Sequence, residues 1–243
     1  MARRTKKDES HKNTQDSYSR KKDTRNKVLS VIIACEDEAS APTYFKLIVE
    51  GLKDNRVITQ DSLVIAKNNH NNPMGVLKDL LNHKEDEKSY KDFEHKWIVI
   101  DRDAPRVNGG GHSTSDFNGA LSSAESKKVE VAYANDSYEL WYLLHFNYRE
   151  TAILRDEILE EVIKKLKEKN STKFRDLDNE NIKSREYTKY IYEELLELQP
   201  KAIKNAKKLL ESYGETHNPE SDNPSTTIHK LVEILNNLKD KES

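Results

Sequence analysis

Residues 31–45 read VIIACEDEASAPTYF. Val31, Ile32, Ile33 and Ala34 form a short apolar run rich in β-branched side chains, the pattern of a buried strand. Three acids, Glu36, Asp37 and Glu38, follow at once. Two carboxylates about 4 Å apart repel by roughly 4 kcal/mol at an effective dielectric near 20. A fold that gathers such groups at a strand end must hydrate them, protonate one, or give them a cation. Beyond the acids, Phe45, Ile48, Val49 and Leu52 recur at helical spacing from Thr43, with Pro42 near the first turn. The unit is therefore strand, acidic turn, helix.

The same alternation continues along the chain. The first strand is expected over Val28–Cys35 and a second over Leu63–Ala66. The polar loop KNNHNNP then leads into a helix, MGVLKDLLNH. A third strand, Trp97–Ile100, ends in a second acidic pair within KWIVIDRDAP. Three consecutive glycines mark RVNGGGHSTSD as a loop, and Ser115 or Asp116 is placed to cap a helix running toward Lys127. VEVAYA reads as a fourth strand and SYELWYLLHF as a strongly apolar helix. Strands alternating with helices predict an α/β fold with a mostly parallel sheet flanked by helices. After residue 150 every run is amphipathic and helical, which predicts a C-terminal helical subdomain or wrap over 151–243, following a core over 27–150. NPSTTIHKL reads there as a helix start, with Ser225 or Thr226 as N-cap.

Bulk composition narrows the function classes. The chain has 243 residues, with Lys+Arg 41 against Asp+Glu 43, a formal net charge of −2, so global charge does not argue for nucleic acid. The charge is unevenly distributed: residues 1–26 are polar and mostly basic, which predicts a disordered arm able to touch phosphate backbones. The single cysteine, Cys35, excludes a disulfide framework and a thiolate zinc site; at a buried strand end it reads as a core filler. No apolar run reaches the roughly 18 residues of a membrane span, and the polar N-terminus carries no signal-peptide pattern. The expectation is a cytoplasmic protein.

The chemistry is expected where the acids meet. Glu36 and Glu38 follow the first strand, and Asp101 and Asp103 follow the third. In open α/β sheets, sites form outside the carboxyl ends of the strands. If these two strands are neighbours, both acidic groups face one crevice. Alternating positions put the two side chains of Asp-x-Asp on one side of an extended segment. Hard divalent ions such as Mg²⁺ or Mn²⁺ take a few carboxylates and complete their shell with water and phosphate oxygens. Such a site orients phosphate and stabilises a departing oxygen, and Glu36 is a candidate general acid or base.

A glutamate after the first strand with Asp-x-Asp after the third resembles the Toprim arrangement of topoisomerases, primases and OLD-type nucleases. The whole chain is similar to the RloB-like family. The matching stretches are ACEDEASAPTYF, VIDRD, VAYANDSYELWYLLHF, AIKNAKKL and NPSTTIHKLVEIL, in that order from about residue 30 to 238. The resemblance implies a Toprim-like core, a helical C-terminal part, and a metal-dependent nuclease of bacterial defence against phage or foreign DNA, encoded near restriction–modification loci and often beside an RloA-like ATPase. Residue by residue, Glu36 matches the Toprim glutamate, Glu38 the second acid of a Cys-Glu-Gly-Glu pattern, and Asp101 and Asp103 the two aspartates. Asn135, Glu139 and His145 match Ser-Asn-Pro-x-Phe-Glu-Leu-Trp…His-Phe. Asp37 stands where the family usually has glycine and Asp136 where it usually has proline.

The expected ligands of a divalent cation, Mg²⁺ or Mn²⁺, are Glu36, Asp101 and Asp103. Glu139 is either a member of the same site or an N-terminal helix acid favoured by the macrodipole. Glu38, Asn135 and His145 are candidate substrate contacts, with a buried hydrogen-bonded role as the alternative for His145. His112, in the glycine loop, reads as exposed. The leading reading is a nuclease acting on RNA, including tRNA, or on DNA, under a controlling partner. The rival is a non-catalytic sensor or adaptor that binds nucleic acid or an ATPase, a reading favoured by Asp37.

Overall fold

The computed structural model describes residues 30–54, 62–85, 87–106 and 109–238. The basic arm over 1–26 and the expected beginning of the first strand lie outside the described residues. Strand β1, Val31–Cys35, leads into helix α1, Ser40–Asp54. Strand β2, Leu63–Ile65, leads through a polar loop into α2, Pro73–Leu81. A small antiparallel ribbon, β3 (Lys84–Glu85) with β4 (Lys88–Ser89), precedes β5, His95–Asp101. Then come α3 (Thr114–Ser126), β6 (Glu130–Asn135) and α4 (Glu139–Phe146). The chain closes with α5 (Arg155–Lys169), α6 (Arg185–Leu195), α7 (Gln199–Tyr213), β7 (Ser225–Thr226) and α8 (Ile228–Asn236).

The five-stranded sheet has the order β2-β1-β5-β6-β7, parallel throughout except for β7. The mostly parallel α/β sheet predicted from the sequence is present, and its first and third predicted strands are neighbours, with Val31 paired to His95 and Cys35 to Val99. The chain leaves β1 toward β2 on one side and returns to β5 on the other. The carboxyl ends of β1 and β5 are thus a topological switch point, where the two connections diverge and leave a crevice.

Alternating side chains of the strands feed two cores. Ile32, Ala34, Ile98, Ile100 and Tyr133 meet α2 and α3 on one face. Val31, Ile33, Cys35, Trp97 and Val99 meet α1 on the other, and the same continuous cluster runs on through α4 to α8. Helix α4 is enclosed on every side: from Leu140 to Leu144 no residue has measurable exposure. This explains why SYELWYLLHF lacks a polar face. The helices after residue 150 therefore wrap the sheet rather than standing apart from it.

Three local features differ from the sequence reading. Helix α3 is capped by Ser113, whose hydroxyl accepts the Asp116 N–H at 3.2 Å, and Ser115 and Asp116 lie within its first turn. Helix α1 begins at Ser40, three residues before Thr43, because the Asp37 carboxylate accepts the backbone N–H of Ala39, Ser40 and Ala41. Ser225 and Thr226, expected as a helix cap, form β7 instead and pair with Asn135 and Ala134. Without them β6 would be an edge with unpaired backbone groups; the Thr226 hydroxyl adds a bond to the Tyr133 carbonyl at 2.7 Å. Among the described residues no helix is long and apolar enough to cross a membrane.

Because α4 and α1 bury their apolar surface against α5 to α8, a fragment comprising only residues 27–150 is expected not to fold. Circular dichroism and thermal melting should show no cooperative transition for that fragment, and a cooperative one for the full chain. Cooperative melting of the fragment would establish an independent sheet domain.

Candidate functional site at the strand switch point

A cavity of about 500 Å³ opens at the carboxyl ends of β1 and β5. Its walls include Glu36, Asp37, Asp101, Asp103, His112, Tyr138, Arg155 and Lys183. Glu36 leaves β1 and reaches across to β5: its Oε2 accepts the Asp101 backbone N–H at 3.0 Å. The other oxygen, Oε1, lies 2.6 Å from His112 Nε2. The Asn68 side-chain amide donates to the carbonyls of Cys35 and Glu36 at 2.8 and 2.9 Å, fixing the backbone from which Glu36 projects.

Asp101 ends β5 beside that carboxylate. Burial, then the Glu36 charge and the Glu139 charge, push its carboxyl well above the usual range, against the opposing pull of Lys183 and Arg155. Glu139 opens α4 with no exposed surface, and neither carboxylate oxygen has a hydrogen-bond partner; Lys183 Nζ stands 3.2 Å from Oε1 as an ion pair. The Lys183 ammonium is held charged: burial works against it, and the Glu139 and Asp101 charges outweigh burial. Arg155, at the start of α5, reaches Asp103 Oδ2 at 2.9 Å and keeps its charge by the same balance.

Asp103 occupies a different environment from Asp101. It is buried, has φ of 34°, and meets two guanidinium groups, Arg155 and Arg106. Aspartate tolerates this left-handed backbone better than most residues. Its N–H is held by the Asp136 carbonyl at 2.9 Å, and its carbonyl accepts the His112 N–H at 2.7 Å. Gly111 has φ of +82°, and a Cβ there would lie 2.6 Å from the Asp103 carbonyl oxygen. That close approach, which only glycine allows, folds the glycine loop back and delivers His112 to Glu36. Burial depresses the His112 imidazole, but the bond and charge of Glu36 outweigh it and raise its pKa.

Several residues with functional promise in the sequence lie elsewhere. The Glu38 side chain is exposed and lines a neighbouring pocket, not the acidic cleft. Asn135 donates to the carbonyls of Pro219 and Glu220 and accepts from Asn223, fastening the loop before β7. His145 is fully buried; its Nδ1 lies 2.8 Å from the Trp141 carbonyl, and burial lowers its pKa to about 4. It is a neutral core histidine away from the cavity. Asp136 is a brace, accepting the N–H of Ala104 at 2.8 Å and of Arg155 at 3.1 Å. Cys35 is buried, and burial followed by the Asp37 charge pushes its thiol up. Arg155 and Lys183 were not singled out in the sequence: each sits in an amphipathic, charge-rich run with nothing local to distinguish it. His112 had one signal, its place directly after the glycines.

The two aspartates are expected to respond oppositely to neutralisation. A carboxyl whose pKa is raised on folding contributes stability below its unfolded value near 3.9 and loses it as pH rises through the folded value. In EDTA, Asp101→Asn should therefore raise the melting temperature at neutral pH and flatten its decline above pH 4. Asp103→Asn should instead cost roughly 1–3 kcal/mol, since it strips a buried acid from two arginines that are themselves part-exposed. The two guanidinium partners give the Asp103 carboxylate a structural role that Asp101 lacks. Melting curves of both variants between about pH 4 and 9 decide it.

No curated protein and no solved structure matches the chain. A family model described as RloB-like protein matches residues 31–235, which include β1, the switch-point cleft and helices α1 to α7. That span holds every residue of the cleft, so the arrangement around Glu36, Asp101 and Asp103 is the arrangement of a chain that belongs to the RloB-like family.

Proposed function

We propose that this chain is a metal-dependent nuclease that cleaves phosphodiester bonds of RNA, including tRNA, or of DNA, in defence against phage or foreign DNA. The observation that carries the reading is the crowding of Glu36, Asp101 and Glu139 at the switch point, where one carboxyl is forced toward its neutral form and another is buried with both oxygens unbonded. Lys183 answers the Glu139 charge in part, and a further cation among Glu36, Asp101 and Glu139 would relieve the repulsion that remains. The donors are all hard oxygens, which suits Mg²⁺ or Mn²⁺. Among the described residues no three His, Cys, Asp or Glu side chains form a ready-made cage. Mg²⁺ is commonly held without one, by one or two carboxylates together with water and substrate phosphate.

Glu36 and Asp101 would hold the ion, with Glu139 or Asp103 beside them. When bound, it would supply Lewis-acid stabilisation of charge on phosphoryl oxygens. Arg155 and Lys183 place positive charge in the same cavity, suited to the non-bridging oxygens of a phosphodiester. Glu36, fixed by the Asp101 amide and by His112, is positioned as a proton acceptor. A controlling partner such as an RloA-like ATPase accords with the family resemblance. One observation favours a non-catalytic sensor or adaptor instead: Glu36, Asp103 and Glu139 each already meet a cationic or protonatable group of the chain itself.

Incubation with labelled tRNA, single-stranded RNA, DNA and plasmid, with and without Mn²⁺, separates the two. The nuclease reading expects cleavage by the wild type only with metal and none by Asp101→Asn. It also expects Mn²⁺ to stabilise the wild type, by about 2.7 kcal/mol at 100 times its Kd, and not the variant. No cleavage of any substrate and no metal-dependent shift would leave the adaptor.

A further inference from the structure

A second, smaller cavity of about 340 Å³ lies against the acidic cleft, with Asp37 in the wall of both. Three cations surround it: Lys46 from α1, Lys67 from the loop after β2, and Arg185 from the first turn of α6. They are far apart in the chain, so only the fold brings them together. All three are exposed. Among the described residues neither Lys46 nor Lys67 takes part in an ion pair, and the Arg185 guanidinium meets only the Glu38 carbonyl, at 3.5 Å. In the acidic cleft, by contrast, Arg155 and Lys183 are both paired.

Two carboxylates face these cations. Asp37 has its oxygens on three backbone N–H groups at the start of α1, which compensates part of its charge. Glu38 is exposed and lines the pocket, so its charge offsets one of the three cations. Asn68 also lines the pocket, but its amide is already donated to the Cys35 and Glu36 carbonyls. The three cations outnumber the uncompensated carboxylate, and the chemistry they recognise is an anion with several oxygens.

We infer that this basic pocket is a subsite for a backbone phosphate adjacent to the one held in the acidic cleft, so that a single nucleic-acid strand crosses the wall at Asp37 with one phosphate on each side. The inference rests on reading the cleft as a phosphodiester site. Contiguity of the two cavities argues for a polyanion over an isolated phosphate: a strand reaches both, a free phosphate only one. It also gives the strand a defined track, from the carboxylates beyond β1 toward α6.

The test is binding, measured in EDTA so that cleavage cannot intervene. A fluorescent single-stranded RNA oligonucleotide is titrated with the full chain and with a variant carrying Lys46→Ala, Lys67→Ala and Arg185→Ala, across about 50 to 200 mM salt. Loss of the one phosphate neutralised here should flatten the slope of log affinity against log salt by about 0.7, and weaken binding about tenfold at the low-salt end. The melting temperature should be unchanged, because all three side chains are exposed. Equal affinity and slope for the two proteins would overturn the subsite, as would failure of the wild type to bind the oligonucleotide. A nucleoside monophosphate that competes as well as the oligonucleotide at equal phosphate concentration would overturn the strand in favour of a free phosphate. Wild-type binding lost in the variant, without metal-dependent cleavage by either, would uphold the subsite and remove the nuclease reading. Cleavage with KM unchanged in the variant would do the reverse.

Discussion

One carboxylate ties the two halves of the switch point together. Glu36 projects from the end of β1, accepts the backbone N–H at the end of β5, and takes the His112 imidazole from the glycine loop on its other oxygen. Parallel pairing of β1 with β5 sets the distance across which this can happen. The connections to α1 and to the glycine loop depart in different directions from that point, and the crevice between them is the cavity. The acidic turn after β1 is therefore not simply a hydrated loop. One of its acids bridges strands, the next caps α1, and only the third, Glu38, is left to solvent.

Gathering carboxylates in such a place has an electrostatic consequence that the rest of the chain answers. Asp101 is driven toward its neutral form by burial and by Glu36, and Glu139 is buried outright. The opposing charges come from beyond residue 150: Arg155 at the start of α5 and Lys183 just before α6. The helical wrap thus completes the site as well as the core. This is the physical reason that the boundary at 150, clear in composition, is absent in the packing. The same continuous apolar cluster runs from β1 to α8, and β7 covers the open edge of β6.

The polar residues at the strand ends divide into those that face the cavity and those that brace it. Asp136 holds the Asp-x-Asp loop to α5 through the amides of Ala104 and Arg155. Asp37 supplies a cap to helix α1 through the amides of Ala39, Ser40 and Ala41. Asn135 secures the loop that leads into β7, while Arg102 pairs with Glu220 of that loop at 2.6 Å and donates to the His112 carbonyl. A polar side chain at a strand end is as often a fastener of neighbouring loops as a reagent, because loop backbone groups buried near a cleft need partners.

The sequence by itself determined the alternation of strands and helices, the parallel sheet, the helical C-terminal part and the placement of Glu36 and Asp101 at strand ends. Those follow from local periodicity and from the order of elements, which a single chain displays openly. It also marked Glu139, although not whether that acid belonged to the cleft or merely to a helix start. Tertiary structure decided which acids meet and which do not: Glu36, Asp101 and Glu139 converge, Asp103 turns to two arginines, Glu38 leaves the cleft and His145 enters the core. It also decided the cations. Lys46, Lys67, Arg155, Lys183 and Arg185 are indistinguishable in sequence from any solvated lysine or arginine on an amphipathic surface. Their roles depend on contacts between elements forty or more residues apart, as Lys183 with Glu139 and Arg155 with Asp103 show, and no local pattern encodes such a contact.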